Sequence, residues 1–265
     1  MKNYLISEAI GDIAGSAYEG RTHRIKDYDK VKMFSSRAHF TDDTVLTFAC
    51  AEAFIDHLDM TMNLWKCANE HRHAGFGSRF KLWMQSHHPQ PYRSLGNGSA
   101  MRCSSAGWLA QTEEECIRMA HETAAPTHNH PEGFKGAEAT AVAIWLARQG
   151  WKIPEIRAHV VENYYPMDFT LDEIRPTYHM DESCQGSVPQ ALEAFFESTS
   201  FEDAVRNAVS IGGDSDTIAA IAGSVAEAYW GVPKDLAAKA ESYLEPEMVQ
   251  VLKTFQLRYA GNIIE

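Results

Sequence analysis

Apolar residues recur three and four positions apart along almost the whole chain, and the runs end at Gly, at Pro, or at the Asx and Thr residues that favour helix caps. The two-residue alternation of a half-buried strand is hard to find. The pattern predicts helices over residues 3–18, 41–57, 61–71, 77–86, 99–110, 113–123, 132–148, 154–162, 188–196, 201–209, 216–230 and 234–257. In the first of these, Gly11 and Gly15 stand four apart on one face, where a second helix could approach closely. Residues Thr41 to His57 are apolar almost all round, the pattern expected of a central, buried helix. Two Ala-rich segments, Phe134 to Leu146 and Thr217 to Trp230, are expected beside it, because small side chains permit tight helix packing. With no internal repeat or Ser/Gly/Pro-rich linker, the reading is one all-α domain over residues 1–265, a globule of about ten helices.

Composition narrows the class of function. Twenty-four Lys and Arg oppose 36 Asp and Glu, a net charge of −12 that disfavours tracking a nucleic-acid backbone by charge. The hydrophobic fraction of 45% and charged fraction of 23% are globular values and exclude disordered and collagenous classes. Five cysteines, an odd number without a C-x-x-C pair, read as reduced thiols of a cytosolic protein. Glu8 interrupts the apolar stretch a secretory signal would need, and no 18-residue apolar run exists, so neither export nor membrane insertion is expected.

Two short segments carry more acid than a helix end requires: Thr41-Asp42-Asp43-Thr44 and Gly212-Gly213-Asp214-Ser215-Asp216-Thr217. Capping alone accounts for one oxygen at each, since Thr, Ser and Asp are preferred N-caps and acids suit the first turn. Here each helix start carries three oxygen-bearing side chains and opens into an apolar segment, where unpaired carboxylates would be driven to take up protons. A divalent cation removes that conflict. Oxygen donors without neighbouring His or Cys suit magnesium, manganese or calcium rather than zinc, and the absence of the loop Gly and distal Glu excludes an EF-hand. Two such clusters suit a binuclear magnesium site.

Ser94-Leu95-Gly96-Asn97-Gly98-Ser99 is a glycine-rich turn running into a helix, able to present backbone N–H groups to an anion or to serve only as a tight turn. Thr127-His128-Asn129-His130-Pro131 precedes another small-residue helix; histidines two apart can bind metal, and a phosphate contact or a plain cap would suit the segment at least as well. Cys184, with no base nearby in sequence, reads as packing.

Taken together, the chain resembles the ADP-ribosylglycohydrolases of the dinitrogenase reductase-activating type. The resemblance rests on Gly11 to Glu19, Phe40 to Thr44, Gly96 to Arg102, Thr127-His128 and Gly212 to Thr217, five motifs in the family's order across most of the chain. It implies a compact orthogonal bundle with a central cleft holding two magnesium ions (Mg2+, with manganese as a substitute) and an ADP-ribosyl group, free or attached to a protein or other conjugate. By the same resemblance Thr41, Asp42, Asp43, Asp214, Asp216 and Thr217 would be metal ligands. Asp42, Asp43 and Asp214 would also serve catalysis, with Glu19 approaching the scissile bond as acid/base or gate. Ser94, Gly96, Asn97, Gly98, Ser99 and His128 would hold the pyrophosphate. Phe76, Phe80 or Tyr92 would stack on the adenine, Leu95 standing where some relatives carry an aromatic.

The implied chemistry is hydrolysis of the N- or O-glycosidic bond between ADP-ribose and its acceptor, with release of free ADP-ribose. Arginine-specific relatives use a further aspartate ahead of a G-x-G turn; here Glu70 is the one acid between Lys66 and Gln85, ahead of Gly75-Phe76-Gly77, so arginine specificity is not implied and serine-linked, arginine-linked, nucleobase-linked and small-molecule substrates all stay open. The loop Gly20 to His39, with Arg21, His23, Arg24 and Arg37, is expected to shape access to the cleft. Two other classes compete: a non-catalytic ADP-ribose reader, and a two-metal phosphohydrolase cutting the pyrophosphate.

Overall fold

A computed structural model describes residues 4–20 and 22–259. Among them the chain is helical with no strand, apart from an isolated antiparallel bridge between Gly96 and Ser183. The elements run α1 (Ile6–Ser16), a 3-10 turn (Tyr28–Lys30), α2 (Asp42–Asp56), α3 (Met60–Glu70), α4 (Ser78–Met84), α5 (Gly98–Met101), α6 (Ser104–Leu109) and α7 (Glu113–Ala124). They continue with α8 (Pro131–Arg148), α9 (Ile153–Asn163), α10 (Leu171–Ile174), α11 (Cys184–Phe196), α12 (Phe201–Ser210), α13 (Ser215–Trp230), α14 (Lys234–Glu241) and α15 (Pro246–Tyr259).

The centre belongs to α13 rather than to α2. Every residue of α13 from Ser215 to Ala228 is buried, and α1, α8, α11 and α12 pack around it. Helix α2 lies alongside at its N-terminal end but exposes Asp56 and half-buries Glu52 and Phe54, so its far turns form one wall of the molecule. The Ala-rich α8 packs on α13.

Helices α1 and α13 pack in close contact, and the cause is legible in α1. A Cβ placed on Gly11 would lie 2.2 Å from the Ala219 carbonyl oxygen, and one on Gly15 would lie 2.2 Å from that of Ser215. Backbone therefore meets backbone along this face, and the Ser215 hydroxyl donates to the Gly15 carbonyl at 3.0 Å. Any larger residue would force the helices apart.

Four boundaries depart from the sequence pattern. The segment 99–110 is two helices, because the backbone leaves helical geometry at Arg102 and Cys103. The segment 234–257 is also two: Pro246 starts α15, and proline disfavours helical backbone at Glu245 before it. Helix α11 begins at Cys184, a turn before the expected 188, capped by Ser183 and carrying Pro189 inside it. Helix α10 was outside the pattern, although Thr170 and Glu173 form a capping box that signals it. The expected start at residue 3 and the loop residue Arg21 lie outside the described residues.

Candidate active site

The starts of α2 and α13 meet on α1. Asp12, wholly buried, accepts from the Thr41 backbone N–H (2.8 Å), the Thr41 hydroxyl (2.9 Å), the Thr44 N–H (3.1 Å) and the Thr44 hydroxyl. It thus caps α2 from a neighbouring helix. One turn further along α1, Gly15 admits the Ser215-Asp216 backbone, so a single helix fixes both acidic segments. Local capping is correspondingly slight: Thr41 accepts from the Asp43 N–H at 3.3 Å, while Asp214, at the N-cap of α13, makes no capping bond.

These segments floor a cleft of about 480 Å³. Glu19, Thr41, Asp42, Asp43, Asp214, Asp216 and Thr217 all line it, as do Ser94, Gly96, Asn97, Gly98 and His128. Oxygens of Glu19, Asp214 and Asp216 lie within 4.8 Å of one another, so the exposed Glu19 sits where it could join a metal as well as a substrate. The Thr217 hydroxyl donates to Asp43 at 3.2 Å, whereas the other Asp43 oxygen, Oδ1, is buried without a hydrogen-bond partner.

Electrostatics follow from the crowding. Burial, with Asp12, Asp214 and Glu19 adding to it, pushes the Asp42 carboxyl up to about 8. Burial and the Asp216 and Asp12 charges raise Asp43 well above the carboxylate range; burial and the Asp214 charge do the same for Asp216. Asp214 rises less, to about 6, because burial is opposed by a 2.6 Å hydrogen bond from the Asn97 amide. Such a set is uncomfortable as bare anions and fits hard divalent cations. Thr41 and Thr217 direct their hydroxyl protons to Asp12 and Asp43, which leaves oxygen lone pairs available to a cation.

The glycine-rich turn is pinned from several sides. The Asn97 N–H donates to the Glu182 carbonyl (2.8 Å), the Cys184 N–H to the Leu95 carbonyl (2.9 Å) and the Gly96 N–H to the Ser94 hydroxyl (3.2 Å). Two N–H groups expected to meet an anion are therefore engaged within the protein. His128 stands beside the turn and is held neutral, its pKa well below normal through burial and the nearby Arg102 charge. Asn129 accepts from the Arg93 N–H at 2.7 Å, bracing the strap that leads into the turn.

Two expected binding residues stand away from the cleft. Ser99 is buried, its hydroxyl donating to the Gly133 carbonyl at 2.7 Å. Phe76 is buried behind Phe80, the two rings stacked 5.0 Å apart, and it is Phe80 and Tyr92 that face the cleft, with Arg79 over the Tyr92 ring. The loop ahead of α2 contributes His39 to the rim, while Arg37 donates to the Ala17 carbonyl and Lys26 ties to the carbonyls of Tyr178 and Ile211. Glu70 lines a separate cavity with Glu52, Cys67 and His71. The sequence pattern carries no separate signal for Asp12, which shares the buried face of α1 with Glu8 one turn earlier, or for Glu182, which reaches the cleft from the segment before α11.

Comparison with known proteins agrees with this architecture. The bovine ADP-ribosylhydrolase ARH3 is 24% identical over 92% of this chain and 89% of its own length, and the human protein of the same name is 23% identical over 92% and 90%. ADP-ribosylarginine hydrolase Tri1 of Pseudomonas putida is 24% identical over 87% of this chain and 70% of its own. A solved structure described as an ADP-ribosylglycohydrolase-related protein complex superposes with a TM-score of 0.70 at 21% identity, over 96% of this chain and 95% of the other, and so shares the fold. Among the described residues no helix is long and apolar enough to cross a membrane. The ADP-ribosylglycohydrolase family model matches residues 1–260, and the chain belongs to that family of glycosidic-bond hydrolases.

Proposed function

We propose that the protein hydrolyses, with magnesium, the N- or O-glycosidic bond joining ADP-ribose to an acceptor, releasing intact ADP-ribose. The observation that carries this reading is the join between the two halves of one cleft: an acidic floor from α2 and α13, and a neutral, donor-bearing rim at the Gly96–Gly98 turn and His128, connected by the Asn97–Asp214 hydrogen bond. A dianionic diphosphate would be repelled by the acids and accepted by the rim. The ribose would then lie over the acids, and the bond that reacts is the one placed there.

Thr41, Asp42, Asp43, Asp214, Asp216 and Thr217 would hold two magnesium ions, supported by the hard oxygen donors and the unpartnered Asp43 Oδ1. When bound, such ions supply charge to fix the ribose hydroxyls and to acidify a water. Asp12 keeps Thr41 and the start of α2 in register for that purpose. Asn97 keeps the Asp214 carboxylate oriented. Positive character developing at the anomeric carbon would be stabilised by the surrounding carboxylates, and Glu19 would manage the proton of the attacking water or gate its approach. Phe80 and Tyr92 are the aromatics available to the base.

Removing a floor carboxylate tests the reading. Asp216→Asn should lose release of ADP-ribose from an ADP-ribosylated peptide while keeping the circular dichroism of the parent. Full activity in Asp216→Asn at low magnesium would overturn the two-metal proposal.

A further inference from the structure

Among the described residues, Arg102 is the largest side chain with no solvent exposure, and where its hydrogen bonds go has a consequence for the cleft. Its Nε and Nη2 donate to the Thr123 carbonyl at 3.0 and 2.9 Å, and Nη2 reaches the Ala124 carbonyl at 3.4 Å and the Thr127 hydroxyl oxygen at 2.7 Å. A guanidinium has donors only, so the Thr127 oxygen must accept from it. That oxygen keeps a second lone pair, but its own proton needs an acceptor, and among the described residues the remaining partner of the Thr127 hydroxyl is His128 Nδ1, 2.7 Å away, so the proton is satisfied only by donating to it. A ring nitrogen that accepts carries no proton. In a neutral imidazole the proton must sit on the other nitrogen.

That nitrogen, Nε2, is the one beside the glycine-rich turn: a Cβ placed on Gly98 or Gly96 would lie 3.7 or 3.8 Å from it, and the Gly96 backbone, which favours a protonated ring nitrogen, shares this donor with the cleft. We propose that Arg102 and Thr127 are positioning residues which lock His128 in the Nε2–H form, so that it offers the cleft a donor and never an acceptor. The proposal rests on reading the cleft as a diphosphate site and adds how its rim is kept selective for anions. With the proton on Nδ1, Nε2 would point a lone pair at a phosphate oxygen. Burial, and after it the positive charge of Arg102 one residue removed from the imidazole through Thr127, keep the ring neutral, so the selection is made by hydrogen-bond polarity and not by a net charge. Thr127 has a second duty through its backbone carbonyl, which accepts from the N–H groups of Tyr92 and Ser94 at 3.3 Å. A side-chain substitution leaves that duty intact.

The test is two-bond proton–nitrogen NMR of the 15N-labelled full chain, with His128→Gln used to assign the His128 signals, together with kinetics on an ADP-ribosylated peptide and ADP-ribose binding by calorimetry. Wild type should show an unprotonated Nδ1 and a protonated Nε2. Thr127→Val should mix the tautomers, raise KM and the ADP-ribose Kd by about tenfold, the order expected for one hydrogen bond to a charged group, and leave kcat close to wild type. Thr127→Ser should restore both readouts. A wild-type proton on Nδ1, or a Thr127→Val protein with unchanged tautomer and KM, would overturn the proposal. Absence of ADP-ribose binding by the wild type would instead refute the function proposed for the cleft, and the NMR result would still decide the tautomer.

Discussion

Asn97 donates its side-chain amide to Asp214 at 2.6 Å and so ties the glycine-rich turn to the acidic start of α13. The same residue gives its backbone N–H to Glu182, which makes it the point where three distant parts of the chain converge. Asn97→Ala should therefore raise the magnesium concentration needed for half-maximal activity and lower kcat/KM by at least about tenfold, on the scale of one hydrogen bond to a charged group. Steady-state rates across a magnesium titration check it, and an unchanged requirement would remove Asn97 from the metal side of the cleft.

The close approach of α1 and α13 makes a second prediction. Gly15→Ala places a methyl 2.2 Å from a backbone oxygen with no flexible side chain to yield. The expected loss is about 1–3 kcal/mol or more, seen as a fall in Tm of roughly 2–4 °C per kcal/mol. Because Asp216 sits on the displaced backbone, activity should fall with it. A thermal melt and a rate measured below the new Tm separate the two effects.

Raised carboxyl pKa values fix the sign of a pH effect. Asp42 and Asp214 titrate near 8 and 6 through burial, so without metal the native state binds more protons than the unfolded chain above its ordinary carboxylate range. Their stabilisation is then full below that range and is lost as pH rises through 6 and on through 8. In chelator, Tm should decline from pH 5 to pH 8.5. Saturating magnesium should flatten that slope and raise Tm at the upper end, by about 2.7 kcal/mol of stability at a hundredfold excess over Kd. Asp43→Asn should raise the chelator Tm at pH 8 and shrink the gain on adding magnesium. Melts at four pH values, with and without magnesium, decide this.

Much of this organisation was legible in the sequence, for identifiable reasons. Gly11 and Gly15 announced a close helix partner, and the two acid-rich helix starts announced a shared site, because neither feature is needed by an isolated helix. What was hidden depends on partners far away in the chain. Asp12 and Glu8 read alike, two acids one turn apart in a largely apolar helix, and only when α2 is set against it does Asp12 stand out as the cap of that helix. Phe76 and Phe80 are equivalent in sequence, and only packing decides that one covers the other. The donors of the Gly96–Gly98 turn were overcounted, since Glu182 and Ser94 claim two of them. Helix α2 reads as central because its N-terminal turns are as apolar as those of α13, although Glu52 and Asp56, four apart, already mark a polar side on its last two turns.

Cysteine chemistry should be silent. Burial pushes the thiols of Cys50, Cys67 and Cys184 up to about 12, and Cys184 spends its hydrogen bond on the Gly96 carbonyl. Iodoacetamide at pH 7.5 on the native protein should leave activity intact over the time that labels the unfolded chain fully. Rapid loss of activity with modification at Cys184 would return it to consideration as a nucleophile.

The measurement that tests the central claim most directly is the identity of the product released from ADP-ribosylated peptides, serine-linked and arginine-linked, followed by mass spectrometry with magnesium and with chelator. Glycosidic cleavage predicts intact ADP-ribose and an unmodified peptide from at least one linkage, abolished by chelator and restored by magnesium. Release of AMP, with ribose phosphate left on the peptide, would show that the acids act on the pyrophosphate and contradict the function proposed here.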